Sequence, residues 1–98
     1  MDDDALLRTA ADRLEALAAR STPGDWRVGG LLASRPEVIA HHSGGTEHVA
    51  EARAGSAAWI SALSPAVAAP LAGWLRAAAA TDAHAVAVAR VLVERLPG

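Results

Sequence analysis

The sequence contains no cysteine, lysine, asparagine, glutamine, phenylalanine or tyrosine. Without cysteine the chain has no disulfide, no thiolate nucleophile and no cysteine-ligated zinc site. Without asparagine and glutamine it lacks the side-chain amides that read adenine through two hydrogen bonds. Because lysine is absent, all nine basic residues are arginine, and they are spread along a chain of net charge −2. That balance excludes the clustered positive charge that nucleic acids and anionic membranes attract, so we expect neither partner.

Small apolar side chains dominate what is present: 52% of the 98 residues are hydrophobic and about a quarter are alanine. This length suits a single small domain, which we assign to residues 1–98. The acidic start, Met-Asp-Asp-Asp, differs from the basic start of a secretion signal. Polar residues and prolines interrupt the apolar stretch 57–80, which argues against a membrane span. The interruptions are Ser61, Ser64, Pro65, Pro70 and Arg76. We therefore expect a soluble cytoplasmic protein without a cofactor.

Residues 4–20 predict an amphipathic helix. Apolar residues recur at helical spacing, and charged residues lie between them. The apolar positions are Leu6, Ala10, Leu14, Leu17 and Ala18. Asp4 is placed to cap the first turn, and the acidic cluster at 2–4 suits the positive end of the helix dipole.

The stretch Ser-Thr-Pro-Gly-Asp-Trp, residues 21–26, predicts a corner after this helix. Thr22 precedes a proline, which disfavours helical geometry and ends the helix. Pro23 and Gly24 are the pair favoured at the centre of a type II turn, in which the glycine takes a positive φ. Trp26 then begins a strand, where its bulk is expected to anchor the reversal of the chain.

Residues 26–53 predict a three-stranded antiparallel meander. Its strands are expected at 26–34, 37–42 and 47–52. Gly29-Gly30 predicts a bulge or sharp bend in the first strand. Ser-Gly-Gly-Thr predicts a tight hairpin turn centred on Gly44-Gly45. The resulting cross-strand pairs are Ser43–Thr46, His42–Glu47, His41–His48 and Ala40–Val49.

The remaining chain predicts two to three helices. A short helix is expected at 56–64, with Ser56 as its N-cap. A second helix runs to about residue 80; Ser64 caps it, Pro65 occupies its first position, and Pro70 bends it one turn later. Its apolar face comprises Val67, Leu71, Trp74, Leu75 and Ala78.

The last helix is predicted at 82–96, with Thr81 as cap and with Asp82 and Arg95 matching the helix dipole. The run 85–93, Ala-Val-Ala-Val-Ala-Arg-Val-Leu-Val, is rich in valine, so a strand over about 83–93 is the alternative. The length of the segment, its cap and the spacing of its apolar face favour helix. That face comprises Ala85, Val88, Ala89, Leu92 and Leu96.

Two segments, 22–26 and 56–71, resemble the Ead-like family of small phage and prophage proteins. That family has a leading helix, a Thr-Pro-Gly-x-Trp corner, short strands, and a helix that opens with Ala-x-aromatic-Ile before an Asn/Ser-Pro start. The matching residues are Thr22, Pro23, Gly24, Trp26, Ala57, Trp59, Ile60, Ser64 and Pro65. Ser56 replaces the usual Asp or Asn, and the long coiled-coil extension of some members does not occur in this chain.

The resemblance implies an accessory protein of phage or prophage type that acts through protein contacts, and it assigns no catalytic residue. The tail 84–92 resembles the ends of related small proteins from actinobacteria and their phages, and the composition suits a GC-rich genome of that kind. The residues expected to carry the structure are Pro23, Gly24, Trp26, Trp59, Ile60, Pro65 and Trp74.

His41, His42 and His48 form the cluster that most suggests chemistry. In the expected register His41 and His48 face each other across the hairpin and are close enough to share a metal ion. Glu37, on the same strand face, is the candidate third ligand of a zinc or nickel site. The ordinary alternative is a solvated hairpin tip in which His42 and Glu47 form a weak pair. A pH-sensitive contact is a third interpretation.

The other constellations favour structural roles. Ser-Gly-Gly-Thr precedes a strand and not a helix, so it does not predict a phosphate loop. The chain has no Gly-x-Ser-x-Gly nucleophile elbow. Glu47 and Glu51 are expected about 13 Å apart on one strand face, which is too far for a glycosidase pair. Trp59 and Trp74 lie in apolar stripes and are expected in the core, with Trp74, Leu75 or the last helix available as a dimer contact.

These patterns predict an α+β fold ordered α-β-β-β-α-α: a leading helix, a three-stranded antiparallel meander, and two to three helices packed on one sheet face. The predicted function is a non-enzymatic accessory protein of phage or prophage type. It acts by protein–protein interaction, as a homo-oligomer (a dimer is favoured) or with an unidentified protein partner. The alternative is a small metal- or ligand-binding module that uses His41 and His48, with Glu37.

Overall fold

The computed structural model describes residues 1–30 and 35–98, and it confirms the predicted α+β fold. A leading helix precedes a three-stranded antiparallel sheet of order β1-β2-β3, and further helices follow. The elements are α1 (Asp3–Ala19), β1 (Asp25–Gly29), β2 (Glu37–His42), β3 (Gly45–Glu51), α2 (Ala54–Ala62), a 3₁₀ turn (Pro65–Val67), α3 (Ala68–Ala77) and α4 (Ala83–Arg95). The first strand is predicted to extend to residue 34, but residues 31–34 lie outside the described residues.

The internal contacts divide the chain into two compact units. The helical unit consists of Met1–Arg20 and Val67–Gly98, and the sheet unit consists of Ser21–Ala66. Each unit contains buried residues of its own. The assignment of residues 1–98 to a single domain stays a prediction.

The core of the helical unit is built from leucine, alanine and valine where α1 packs against α3 and α4. Alanine allows the helix axes to come close, and Leu75 fills the space between them with no exposed surface. The buried residues are Leu6, Leu7, Ala10, Ala11, Ala72, Leu75, Ala85, Val86 and Ala89. Leu14 and Leu17, which the periodicity predicts on the core face, are only half-buried.

Polar side chains fix the start and the outer surface of α1. The carboxylate of Asp2 accepts a hydrogen bond of 2.7 Å from a first-turn N–H, so Asp2 and not Asp4 is the cap. Arg76 of α3 donates to Glu15, and to Asp12 at 2.8 Å. These two hydrogen bonds, with Glu15 first, raise the pKa of Arg76 above its ordinary value, so the guanidinium is charged at any working pH.

The valine-rich run is a helix, α4, and the strand alternative is wrong. Asp82 caps the helix, because its carboxylate accepts hydrogen bonds of 3.1 Å from the N–H groups of His84 and Ala85. The predicted cap, Thr81, therefore lies one residue before the actual cap. Two N–H groups that have no helical acceptor are satisfied in this way, which stabilises the helix against the β-propensity of its valines.

The predicted corner is confirmed at Gly24, which has a φ of +108°. A Cβ at this position would lie 2.5 Å from the carbonyl oxygen of His41 in β2, so the close approach of the two backbones requires glycine. Trp26 lies opposite Ala40, and its indole N–H donates to the carbonyl oxygen of Thr22 at 3.0 Å. This hydrogen bond ties the first strand to the corner.

β1 pairs with β2 in regular antiparallel register, from Asp25–His41 to Gly29–Glu37. The pairing of β1 with β2 thus contains no bulge at Gly29. Gly30, directly after the strand, has a φ of +105°.

The β2–β3 hairpin turns one residue earlier than predicted. The turn residues are 43–44 and not 44–45, so His41 pairs with Thr46. The physical reason lies in Gly45, whose φ of +127° suits glycine and directs the chain into β3.

A β-bulge follows within β3. Val38 pairs with Ala50, whereas the next residue of β2, Ile39, pairs with His48. Val49 is therefore left without a partner in the ladder, and the facing of the residues after it changes.

α2 and α3 begin at other residues than predicted. α2 begins at Ala54 without a side-chain cap, so Ser56 lies inside its first turn. Pro65 begins the 3₁₀ turn, and α3 begins only at Ala68. Pro70 thus falls in the first turn of α3, where an N–H would have no helical acceptor, so the proline imposes no break.

Among the described residues, the run Ala54–Ala77 is long and apolar enough to cross a membrane by length and composition alone. It is not one regular helix, because α2 ends at Ala62 and the 3₁₀ turn separates it from α3. A single run of this kind is weak evidence for a membrane span.

Candidate functional site

The two faces of the sheet differ in character. α2 packs against β1 and β2, and Val38 and Ala40 of β2 have no exposed surface. Because side chains alternate along a strand, Glu37, Ile39 and His41 point to the opposite face. This opposite face, with the residues that pair with these three, is the polar face of the sheet.

The bulge at Val49 decides which residues of β3 join the polar face. In a regular strand His48 and Glu51, three residues apart, would point to opposite faces. With Val49 left out of the ladder, His48 lies opposite Ile39 and Glu51 lies opposite Glu37. Both side chains therefore belong to the polar face.

Glu37, His48 and Glu51 form the candidate site. Each offers one ligand atom, a carboxylate oxygen or an imidazole nitrogen, and the three atoms lie within 4.8 Å of one another. Glu37 is half-buried, and the other two side chains are exposed. One imidazole with two carboxylates is a donor set suited to a first-row transition-metal dication.

His41 does not belong to this group, which corrects the predicted ligand set. The earlier turn places His41 opposite Thr46. His48 instead lies opposite Ile39, two residues along β2 from its expected partner, which is a displacement of roughly 7 Å. The structure brings together two of the predicted ligands, Glu37 and His48, and supplies Glu51 in place of His41.

Arg35 is the cation that lies next to the candidate site. Its Nη1 lies 3.9 Å from Oε2 of Glu51, and its side chain is 80% exposed, so the ion pair is weak. The two residues border an open groove of about 280 Å³, smaller than most small-molecule pockets. The groove is lined by Arg35, Pro36, Glu51, Ala52 and Arg53.

His42 contacts Glu47, but the two are not opposite each other in the ladder as predicted, because His42 pairs with Gly45 and Glu47 pairs with Ala40. Its Nε2 lies 3.5 Å from Oε1 of Glu47, within ion-pair distance but without hydrogen-bond geometry. Its Nδ1 accepts a hydrogen bond of 3.1 Å from the N–H of Gly44 in the turn. Because Nδ1 accepts, the neutral ring carries its proton on Nε2, towards the carboxylate. This histidine is engaged in holding the hairpin turn.

Trp59 and Leu63 form an exposed apolar surface, here called the α2 surface. They are 69% and 55% exposed, so the prediction that Trp59 lies in the core is wrong. The physical reason is its helical position: Ala57, two residues earlier and about 200° around the helix, is fully buried. Trp59 therefore points away from the buried side of α2.

The other predicted structural residues have mixed environments. Trp74 is 41% exposed, whereas its neighbour Leu75 is fully buried, so the core position belongs to the leucine and the dimer contact predicted for Leu75 is wrong. Ile60 and Pro65 are half-buried, and Pro23 is exposed at the corner. Trp59 and Trp74 are both exposed, so the prediction that these two tryptophans lie in the core is wrong.

Glu51 is the site residue that the sequence pattern does not identify. Alternation places Glu47 and Glu51 on one strand face. The bulge separates them, since Glu47 lies opposite Ala40 on the face of the buried residues and Glu51 lies opposite Glu37. No residue type around Val49, such as a glycine, marks the bulge in the sequence.

No family model, curated protein or solved structure matches this chain. The resemblance to the Ead-like family therefore rests on the sequence motifs alone.

Proposed function

We propose that this protein is a non-catalytic interaction protein that self-associates through the α2 surface, in the accessory role that its resemblance to phage and prophage proteins implies. The observation that supports the proposal most is the 69% exposure of Trp59. Tryptophan is enriched among the residues that contribute most to protein interfaces. Leu63 lies four residues later, on the same side of the helix, and is 55% exposed.

The exposed area of Trp59 is large enough to stabilise an interface. If a whole tryptophan side chain has about 250 Å², 69% exposure leaves about 170 Å² in water. Burial of this area contributes about 4 kcal/mol at 25 cal/mol per Å². Association costs about 4 kcal/mol or more in lost rigid-body freedom. In a two-fold dimer the Trp59 of each copy is buried, so this contribution is doubled and offsets the cost of association.

A second copy of the chain is the partner that the charge pattern favours. No charged residue occurs between Arg53 and Arg76. In a two-fold dimer each surface meets its own copy, so like charges on it would repel one another, and this surface carries none. The other exposed residues along this side of α2 are small, which allows a second helix to approach closely. They are Gly55, Ser56 and Ala62.

The sequence lacks cysteine and a Gly-x-Ser-x-Gly elbow, which supports a role without nucleophilic catalysis.

Native mass spectrometry and sedimentation velocity on untagged protein, from low micromolar to near-millimolar concentration, test the proposal. We expect a monomer–dimer equilibrium and a shift of tryptophan fluorescence to shorter wavelength as the dimer forms. Trp59→Ser is expected to yield a monomer. Trp74→Ser, the matched control in the helical unit, is expected to preserve the dimer.

Two results would contradict self-association through this surface. One is a monomer at every concentration, and the other is a dimer that Trp59→Ser leaves intact. A monomer that binds a different protein through Trp59 would assign the surface to a heterologous partner and so also overturn the proposal. Far-UV circular dichroism of each variant verifies that the helices and strands are retained.

A further inference from the structure

We propose that Glu37, His48 and Glu51 bind a first-row transition-metal dication of the zinc type, with water in the remaining coordination positions. Three protein ligands from two adjacent strands would hold the ion on the polar face of the sheet. This inference is independent of self-association through the α2 surface.

The two carboxylates supply the electrostatic reason. Glu37 and Glu51 are directly opposite each other in the ladder, and like charges in this position destabilise a sheet. Arg35 lies 3.9 Å from Glu51 and its side chain is exposed, so it compensates little of the repulsion. A dication between the carboxylates converts the repulsive pair into an attractive one.

The ligand atoms are close enough to converge on an ion. Zinc bonds of about 2.0–2.2 Å to nitrogen and oxygen place tetrahedral ligands roughly 3.3 Å apart. The three ligand atoms lie within 4.8 Å of one another, so closure requires shifts of about 1.5 Å or less. His48 and Glu51 are exposed and can make these shifts by rotation, while the half-buried Glu37 provides the fixed ligand.

Ile39 leaves the approach to the site open. It lies opposite His48 on the polar face and is the apolar side chain placed to cover the ligands. A Cβ at Gly29 would lie 2.8 Å from Cδ1 of Ile39, which shows that Ile39 extends over β1 and away from His48. The absence of a side chain at Gly29 thus creates the space that Ile39 occupies.

The donor set selects the class of metal. Imidazole favours Zn²⁺ and its neighbours over Mg²⁺ and Ca²⁺, which prefer sites made of oxygen alone. The absence of sulfur ligands disfavours Cu⁺.

Isothermal titration of Zn²⁺ into the untagged full chain tests the site, with Co²⁺ absorption spectra as a second readout of coordination. We expect one ion per chain, and no competition from Mg²⁺ or Ca²⁺ at equal concentration. His48→Ala and Glu51→Gln are each expected to weaken binding by roughly tenfold or more. His41→Ala, a histidine on the same sheet face but outside the group, is the matched control and is expected to leave the affinity unchanged.

Three results would overturn the proposal: no zinc binding up to near-millimolar concentration, binding that survives both His48→Ala and Glu51→Gln, or equal loss in His41→Ala. The first two substitutions alter exposed side chains, so the fold should be retained. An unchanged far-UV spectrum of each variant ensures that a loss of affinity reports on ligation.

Discussion

Replacement of Gly24 by alanine is expected to destabilise the sheet unit strongly, through two separate effects: the conformation of the backbone and a steric overlap. A φ of +108° is a conformation that costs an alanine about 1–3 kcal/mol. In addition, the new Cβ would lie 2.5 Å from the carbonyl oxygen of His41. That atom belongs to the backbone of the central strand, so no side-chain rotation relieves the overlap, which adds about 1–3 kcal/mol. We expect a total loss of about 2–6 kcal/mol.

Two other glycines provide matched controls. Gly45 has a φ of +127°, and a Cβ at this position would meet nothing within 4 Å, so Gly45→Ala should lose only the conformational part, about 1–2 kcal/mol. Gly73 lies inside α3, where a Cβ would also meet nothing within 4 Å, so Gly73→Ala should stabilise by about 0.5–1 kcal/mol.

Urea unfolding followed by far-UV circular dichroism measures the series. At about 4–8 °C per kcal/mol for a chain of this size, Gly24→Ala should also lower the melting temperature by roughly 8 °C or more. The reasoning is refuted if Gly24→Ala costs no more than Gly45→Ala, because the contact with His41 would then contribute nothing.

Two further predictions concern single hydrogen-bonded groups. Trp26→Phe keeps an aromatic ring but loses the 3.0 Å hydrogen bond to Thr22, so unfolding in urea should show a loss of about 1 kcal/mol; an unchanged midpoint would show that the hydrogen bond does not stabilise the corner. Asp82→Ala removes the cap of α4 and should cost about 1 kcal/mol, whereas Asp82→Asn should restore most of it; equal losses in both variants would contradict the capping role.

Part of the candidate site can be predicted from the sequence. Glu37 and His48 follow from the two-residue period of strands and from the hairpin, and both belong to the group. The position of Glu51 in the site cannot be predicted, because the bulge moves the residues after Val49 to the opposite face of the sheet. Nothing in the sequence around Val49 indicates the bulge. His41 was assigned wrongly because a turn shifted by one residue displaces every cross-strand pair.

The exposure of Trp59 cannot be predicted from the sequence for a different reason. Amphipathic periodicity identifies the buried side of a helix by contrast between polar and apolar residues. Nearly every residue of α2 is apolar or small, so the sequence offers no such contrast. The buried side, marked by Ala57, is set by how the helix packs on the sheet.

The order of the elements and the places where the chain must turn are encoded locally. Gly24 permits a positive φ, and Asp82 satisfies free N–H groups within its own turn, so neighbouring residues indicate the turn, and the start of the helix to within one residue. The bulge at Val49 and the outward direction of Trp59 arise only in the folded chain. Both depend on pairing and packing between segments that are distant along the chain. A local pattern of residues cannot predict the free energy of such long-range contacts.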